Sequence, residues 1–311
     1  MEKATFKRLK YSFGDLFANV LLTFSILTFR FLPPKILIFI AKILGILVFH
    51  LFKRYRERVI GNLSMVFGME KDLNEMTRLA KEVFFHFTLT SLEIIYMIAT
   101  PFKQFLMDIE IKGRDHLDAA LALGNGVIAL GAHLGSFPLL GTRLAAEGYL
   151  FNVIVNEGKF PKLMKRMESY RRQFGQKSFP PKPATAAIKK SLNSLYRNEI
   201  LYLIADEQQR RGGIPVPFFG QRAFTPPGPA ILSLKTGAPI LPMFLLRENG
   251  IPQTLIIGNP IEIERTSDDK KDTEILTAKF TKVIEEAVRQ YPSQWAWLNR
   301  RWKWPYQKGD F

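Results

Sequence analysis

Of the four histidines in the chain, His133 has the neighbours that suit chemistry. It follows Val127-Ile-Ala-Leu-Gly131, a short aliphatic run of the kind that forms a buried strand. Gly131 and Gly135 flank it and permit a sharp turn. Pro138 then sits at or near the first turn of a run from 139 to 147 that reads as a helix, a place where proline is tolerated. A histidine at a strand-to-helix junction lies in a natural ligand crevice, beside a helix N-terminus that favours negative charge. A satisfied core histidine is the plainer alternative that a lone residue leaves open.

A second group lies in the stretch Asp206-Glu-Gln-Gln-Arg-Arg-Gly-Gly-Ile-Pro-Val-Pro-Phe-Phe-Gly220. It reads as a long loop between a strand ending near Ala205 and a helix starting near Pro227, and loops of that length inside α/β units are usually functional. Asp206 and Glu207 stand at a strand's carboxyl end, where such folds keep their chemistry. Arg210 and Arg211 suit a phosphate or carboxylate ligand. A solvated surface loop with a proline-anchored turn is the competing reading.

The elements that must position these groups alternate along the chain. Strand-like runs at 127–130, 151–155, 200–204 and 239–246 are interleaved with helical patterns at 139–147, 163–174 and 184–196. That alternation predicts an α/β fold: a mostly parallel or mixed central sheet flanked by helices. Residues 108–111 read as a short strand, 115–123 as a helix and 254–257 as a late antiparallel strand. Residues 73–98 and 272–290 carry helical periodicity.

Composition narrows the function classes. The chain has 311 residues, no cysteine and a formal charge of +16. Disulfides, cysteine-ligated zinc and thiol nucleophiles are therefore excluded, and the histidine spacing offers no zinc motif. No serine-hydrolase elbow, phosphate loop or dinucleotide fingerprint occurs. The charge calls for an acidic partner, but the basic residues are scattered and no nucleic-acid motif appears. The apolar segments 17–28 and 36–52, separated by Arg30 and the Pro33-Pro34 break and bracketed by lysines and arginines, favour a membrane surface instead. The first would reach only about 18 Å as a helix, short of the roughly 30 Å hydrocarbon core. The second carries Lys42 in its middle. Residues 1–60 are thus expected to be a membrane-associating helical hairpin, and 61–311 the α/β domain. A single spanning helix at 36–52, or a pair of buried core helices, remains open. The basic flanks would place both ends on the cytoplasmic side.

Several segments together resemble the lipid A biosynthesis acyltransferases, the lauroyl and myristoyl transferases of Gram-negative bacteria. They are Arg56-Glu-Arg-Val-Ile-Gly-Asn-Leu63, Gly131-Ala-His-Leu-Gly-Ser-Phe137, Val216-Pro-Phe-Phe-Gly220 with Thr236-Gly-Ala-Pro-Ile-Leu-Pro242, and Tyr291-Pro-Ser-Gln-Trp-Ala-Trp-Leu-Asn-Arg-Arg-Trp302. The resemblance implies transfer of a fatty acyl chain from acyl carrier protein to a hydroxyl of an anionic glycolipid at the inner membrane. The donor would ride on the carrier's phosphopantetheine, with no metal or other cofactor. It also implies His133 as general base and Arg171, with Arg172 an adjacent candidate, as oxyanion clamp. The backbone N–H groups near Gly135 and Ser136 would assist, and Ser136 itself is a candidate for binding substrate. The family's acid, five residues after the histidine, is Pro138 in this chain. Glu207 or Asp206 is therefore expected to orient His133 in its place. A different lipid acceptor, or a lipid-binding relative that has lost the chemistry, is the alternative.

Overall fold

A computed structural model describes residues 23–100, 106–156, 161–248 and 253–302. The part of the first apolar segment before residue 23 lies outside them. Helices α1 (Pro34–Leu51), α2 (Lys53–Phe67) and α3 (Leu73–Ala99) precede the sheet. Pro34 opens α1, as the Pro33-Pro34 break predicts. Leu37, Ala41, Gly45 and Phe49, one residue per turn, bury a stripe of α1. This stripe packs on α3, and a side chain at Gly45 would strike the Phe85 backbone at 2.9 Å. The opposite face of α1 exposes Phe39, Ile43, Ile46 and Leu47. Both α1 and α3 are long and apolar enough to cross a membrane; α3 is half-buried in the fold, α1 only 22%.

Helix α2 is a correction to the expected organisation. From sequence its start is a basic flank leading into the Arg56–Leu63 segment; in the structure Val59, Leu63 and Phe67 join the main core. A boundary at residue 60 therefore falls inside a helix that packs on the α/β body.

The body is a seven-stranded mixed sheet in the order β1-β9-β8-β2-β5-β3-β4. The strands are β1 (Glu110–Lys112), β2 (Val127–Gly131), β3 (Phe151–Ile154), β4 (Lys177–Phe179), β5 (Ile200–Ile204), β8 (Ile240–Leu246) and β9 (Thr254–Ile257). Every pairing is parallel except β8–β9, the expected late antiparallel strand. The covering helices are α4 (Arg114–Ala122), α5 (Phe137–Ala146), α6 (Pro161–Gln173), α7 (Ala184–Tyr196), α8 (Gly228–Thr236) and α9 (Asp269–Gln290). Side chains alternate across the central strand β2. Ile128 and Leu130 enter one core with Phe218, Phe280 and Trp295. Val127 and Ala129 enter the other with Leu140, Tyr202 and Leu245.

Part of the expected 206–220 loop is structured. Residues Ile214–Phe218 (β6) and Gln221–Thr225 (β7) pair as an antiparallel hairpin. Pro215 and Pro217 alternate along β6 at exposed positions, compatible with a two-stranded ribbon in which every second N–H points away from the partner.

Candidate active site

Parallel register brings the central pair together. Gly131, the last residue of β2, lies opposite Ile204, the last of β5. Two residues beyond each strand end stand His133 and Asp206, side by side at the carboxyl edge of the sheet. His133 Nδ1 and Asp206 Oδ1 are 2.8 Å apart. The His133 backbone N–H donates to Asp206 Oδ2 at 2.8 Å, and Trp295 Nε1–H donates to the same oxygen at 2.7 Å. The Asp206 side chain is 1% exposed, that of His133 23%.

These contacts set the charge state. Burial pushes the Asp206 carboxyl up, but His133, through charge and hydrogen bonds, and Trp295 together hold it below its usual value. Burial works against protonation of His133, yet the Asp206 charge and hydrogen bond, with Glu207 adding, raise its pKa above the ordinary histidine value. Glu207 approaches the other ring nitrogen, its Oε1 3.7 Å from Nε2, and is 60% exposed. With Nδ1–H held by an ionised carboxylate, Nε2 carries the lone pair and faces the open side. That is the geometry of a general base.

The turn bearing His133 is held from three directions. Gly135 adopts φ +63°, and a Cβ there would lie 2.0 Å from the Leu245 carbonyl oxygen. The Ser136 N–H donates to that oxygen, the Gly135 N–H to Gln294 O and the Ala296 N–H to His133 O. From α3, Thr90 Oγ1 donates to the Gly135 carbonyl. Beneath the turn, Glu93 and Arg247 form a fully buried ion pair. Arg247 Nε donates to Glu93 Oε1 at 3.1 Å, and Gln253 Nε2 donates to the same atom at 2.7 Å. The Ser136 hydroxyl joins this pair, donating to Glu93 and accepting from Arg247.

Three expectations are corrected by these contacts. The Gly135 and Ser136 N–H groups are consumed by backbone carbonyls, so they do not form an oxyanion hole. The Ser136 side chain is committed to Glu93 and Arg247 rather than open to substrate. Arg171 lies in the last turn of α6, which leads into the start of β4 and so away from the carboxyl edge. Its guanidinium approaches Glu168 at 3.8 Å, and no hydrogen bond or ion pair among the described residues links it to His133 or Asp206. Arg172 is exposed and bonded to the same Glu168. Arg210 and Arg211 are exposed in the segment between Glu207 and β6. Pro138 occupies the first turn of α5, half-buried, without touching the role that Asp206 fills.

The residues that sequence reasoning missed sit mostly at its C-terminal signature. Trp295 supplies the third donor to Asp206. Arg301, 1% exposed, donates to the carbonyls of Glu207 (3.1 Å) and Phe224 (3.3 Å) and lies over the Phe218 ring. It fixes the segment that carries both carboxylates. The N-terminal signature docks on the same stretch: Asn62 Nδ2 donates to Trp297 O and Arg58 Nη1 to Leu298 O. The signal for Glu93 and Arg247 was a lone charge inside or directly after an apolar run, which a folded chain must pair.

The profile of the bacterial lipid A biosynthesis acyltransferases matches residues 7–304. The chain belongs to this family. Among curated relatives, the phosphatidylinositol mannoside acyltransferase of Mycobacterium tuberculosis is 27% identical over 201 residues, covering 63% of this chain and 60% of that protein. The chain thus matches about three fifths of that relative's length. The lipid A biosynthesis palmitoleoyltransferase of Escherichia coli K12 is 22% identical across 88% of this chain and 86% of its own. The lauroyltransferase of the same organism is 23% identical across 84% and 83%. One of these relatives is named for phosphatidylinositol mannoside and two for lipid A biosynthesis, and all three are acyltransferases by name.

Proposed function

We propose that this protein transfers a fatty acyl chain from a thioester donor to a hydroxyl of a membrane glycolipid, with His133 as general base. The observation that carries the reading is the His133–Asp206–Trp295 arrangement. Asp206, ionised and fully hydrogen-bonded, holds the Nδ1 proton and leaves Nε2 free to accept one. As the acceptor oxygen attacks the thioester carbonyl, its proton passes to Nε2. The C–O bond forms, the C–S bond breaks, and the imidazolium returns the proton to the departing thiolate. Asp206 stabilises the cation without becoming protonated. Glu207, facing Nε2, raises the basicity of that nitrogen.

The donor is acyl carrier protein, whose acidity suits the +16 chain, and the acceptor is a lipid A precursor at the cytoplasmic face of the inner membrane. The exposed apolar face of α1, with the basic residues around it, supports association with that membrane. The test is product mass after incubating the protein with lauroyl- or myristoyl-acyl carrier protein and a tetra-acylated lipid A precursor. Phosphatidylinositol mannoside serves as a parallel acceptor. A gain of one acyl chain, absent in His133→Ala, supports the reading. No gain with either acceptor overturns it.

A further inference from the structure

The start of α2 and the chain end beyond α9 meet in a second cleft that the chemistry above does not use. Asn62 and Arg58 reach the carbonyls of Trp297 and Leu298, and this docking lays Arg300 and Trp302 beside the first turns of α2. The cavity between them, about 230 Å³, is lined by Arg54, Arg58 and Arg300, with Glu57, Gly61, Asn62 and Trp302 completing the wall. Three guanidiniums thus converge on a space with one carboxylate. That carboxylate already has a cation on its own helix: Glu57 Oε1 is paired with Lys53 at 3.7 Å. Among the described residues none of the three arginines forms an ion pair. Burial, then the nearby Arg300 and Arg54 charges, depress the Arg58 pKa.

Trp302, 3% exposed and packed among Phe218, Phe219 and Trp295, gives the cleft a fixed aromatic wall. Guanidinium forks match phosphate oxygens in pairs, and a phosphate would supply acceptors to several donors at once. The cleft also follows directly on the end of α1, where Leu51 and Phe52 are exposed, so its rim is continuous with the apolar face described above. Trp and Arg groups beside exposed apolar residues suit the headgroup level of a bilayer.

We propose that this cleft binds the phosphate group of a lipid headgroup at the membrane surface. The site is separate from His133 and is read by binding alone, so its failure would not bear on acyl transfer. The test uses the full chain and vesicle flotation, with phosphatidylcholine vesicles as baseline. Two anionic series are matched in surface charge, one containing phosphatidic acid and the other cholesteryl hemisuccinate, whose charge is a carboxylate. The variant is Arg54→Gln with Arg300→Gln, chosen because no hydrogen bond or ion pair ties either side chain to the described residues. Lys270→Gln with Lys271→Gln removes the same charge at the far end of α9. The expected result is at least tenfold weaker binding of the arginine variant to phosphatidic acid vesicles. The lysine variant should bind like wild type, and the carboxylate series should bind less tightly than the phosphate series. Equal losses in both variants, or equal binding to both anionic series, would reduce the cleft to bulk electrostatics and overturn the proposal. Inorganic phosphate alone, followed by tryptophan fluorescence, separates the sources. Saturation by free phosphate without any preference among vesicles would overturn the lipid assignment.

Discussion

Asp206→Asn tests the centre of the argument with minimal change of shape. In the wild type, Oδ2 accepts two N–H groups, from the His133 backbone and Trp295, while Oδ1 takes Nδ1–H. An asparagine has one oxygen. Turning its NH2 toward the two fixed donors would leave both buried and unmet, at about 1–3 kcal/mol each. The amide therefore keeps its oxygen on the Oδ2 side and aims NH2 at Nδ1. Nδ1 must then accept, the ring proton moves to Nε2, and the nitrogen facing the substrate is no longer a base. A serine-protease triad altered in this way loses about 10⁴ in kcat through the same wrong tautomer. The expectation here is a fall of roughly 10³–10⁴, or about 4–5.5 kcal/mol in the barrier. KM should change little, because Asp206 is buried and out of reach of substrate. The assay is initial rate of acyl transfer, with near-ultraviolet circular dichroism to show that the fold persists. A variant that keeps kcat within tenfold of wild type would refute the assignment of Asp206 as the orienting group.

The pH dependence follows from the same pair. Catalysis needs neutral His133, whose pKa is raised, so kcat/KM should climb with pH through a midpoint above 6.5. Glu207→Gln should move that midpoint down, and an unmoved midpoint would remove Glu207 from the site. In stability the signs are opposite for the two groups. The raised His133 contributes stability that is complete below about pH 6.5 and is lost as pH rises through its folded value. The lowered Asp206 contributes stability present above about pH 3.8 and lost as pH falls through its folded value. The melting-temperature gap between wild type and Asp206→Asn should therefore narrow at both extremes, which differential scanning calorimetry reads. Arg247→Met leaves the Glu93 carboxylate buried and without its cation, and should cost about 3–5 kcal/mol, a fall of roughly 5–8 °C in melting temperature. A loss under 1 kcal/mol would show that the pair carries no structural weight. Pro138→Glu should alter kcat by less than about tenfold, because Nδ1 already has its carboxylate; a large gain in rate would mean Asp206 does not serve.

Much of the sheet was legible because its strands are short aliphatic runs between turn residues. The expected strand at 200–204 and helix at 184–196 agree with the structure at both ends. What failed did so for identifiable reasons. β4 is three residues, Lys177-Ser-Phe179, with a lysine and a serine and no apolar run to betray it. β6 falls inside the expected 206–220 loop, because Pro215 and Pro217 interrupt any apolar run there and only the two-stranded pairing makes them harmless. Strand alternation bears on the choice between Asp206 and Glu207. Tyr202, Ile204 and Asp206 share one parity along β5, and the first two enter the core that also holds Val127 and Ala129. His133 has the same parity along β2. Asp206 therefore turns inward to His133, while Glu207 reaches only the exposed edge of its ring.

The residues that sequence could not place are those whose partners are far along the chain. Glu93 and Arg247 are 154 residues apart, and Asp206 and Trp295 are 89 apart. No local period encodes such pairings; they become visible only once β8 lies beside β2 and the segment after α9 folds back across the strand ends. The same distance explains why several signatures are needed. The turn at Gly135 has its N–H groups bound by Gln294 and Leu245, Trp295 completes the Asp206 shell, and Arg301 fixes the Glu207 backbone. Asn62 and Arg58 in turn hold the carbonyls of Trp297 and Leu298. A buried carboxylate is tolerable only when every lone pair that matters is met. The C-terminal signature is thus a physical requirement of the ionised Asp206, and the N-terminal one a requirement of the C-terminal segment's position. With the orienting carboxylate supplied across the sheet from β5, the position five residues after His133 is released from that duty and can begin a helix with proline.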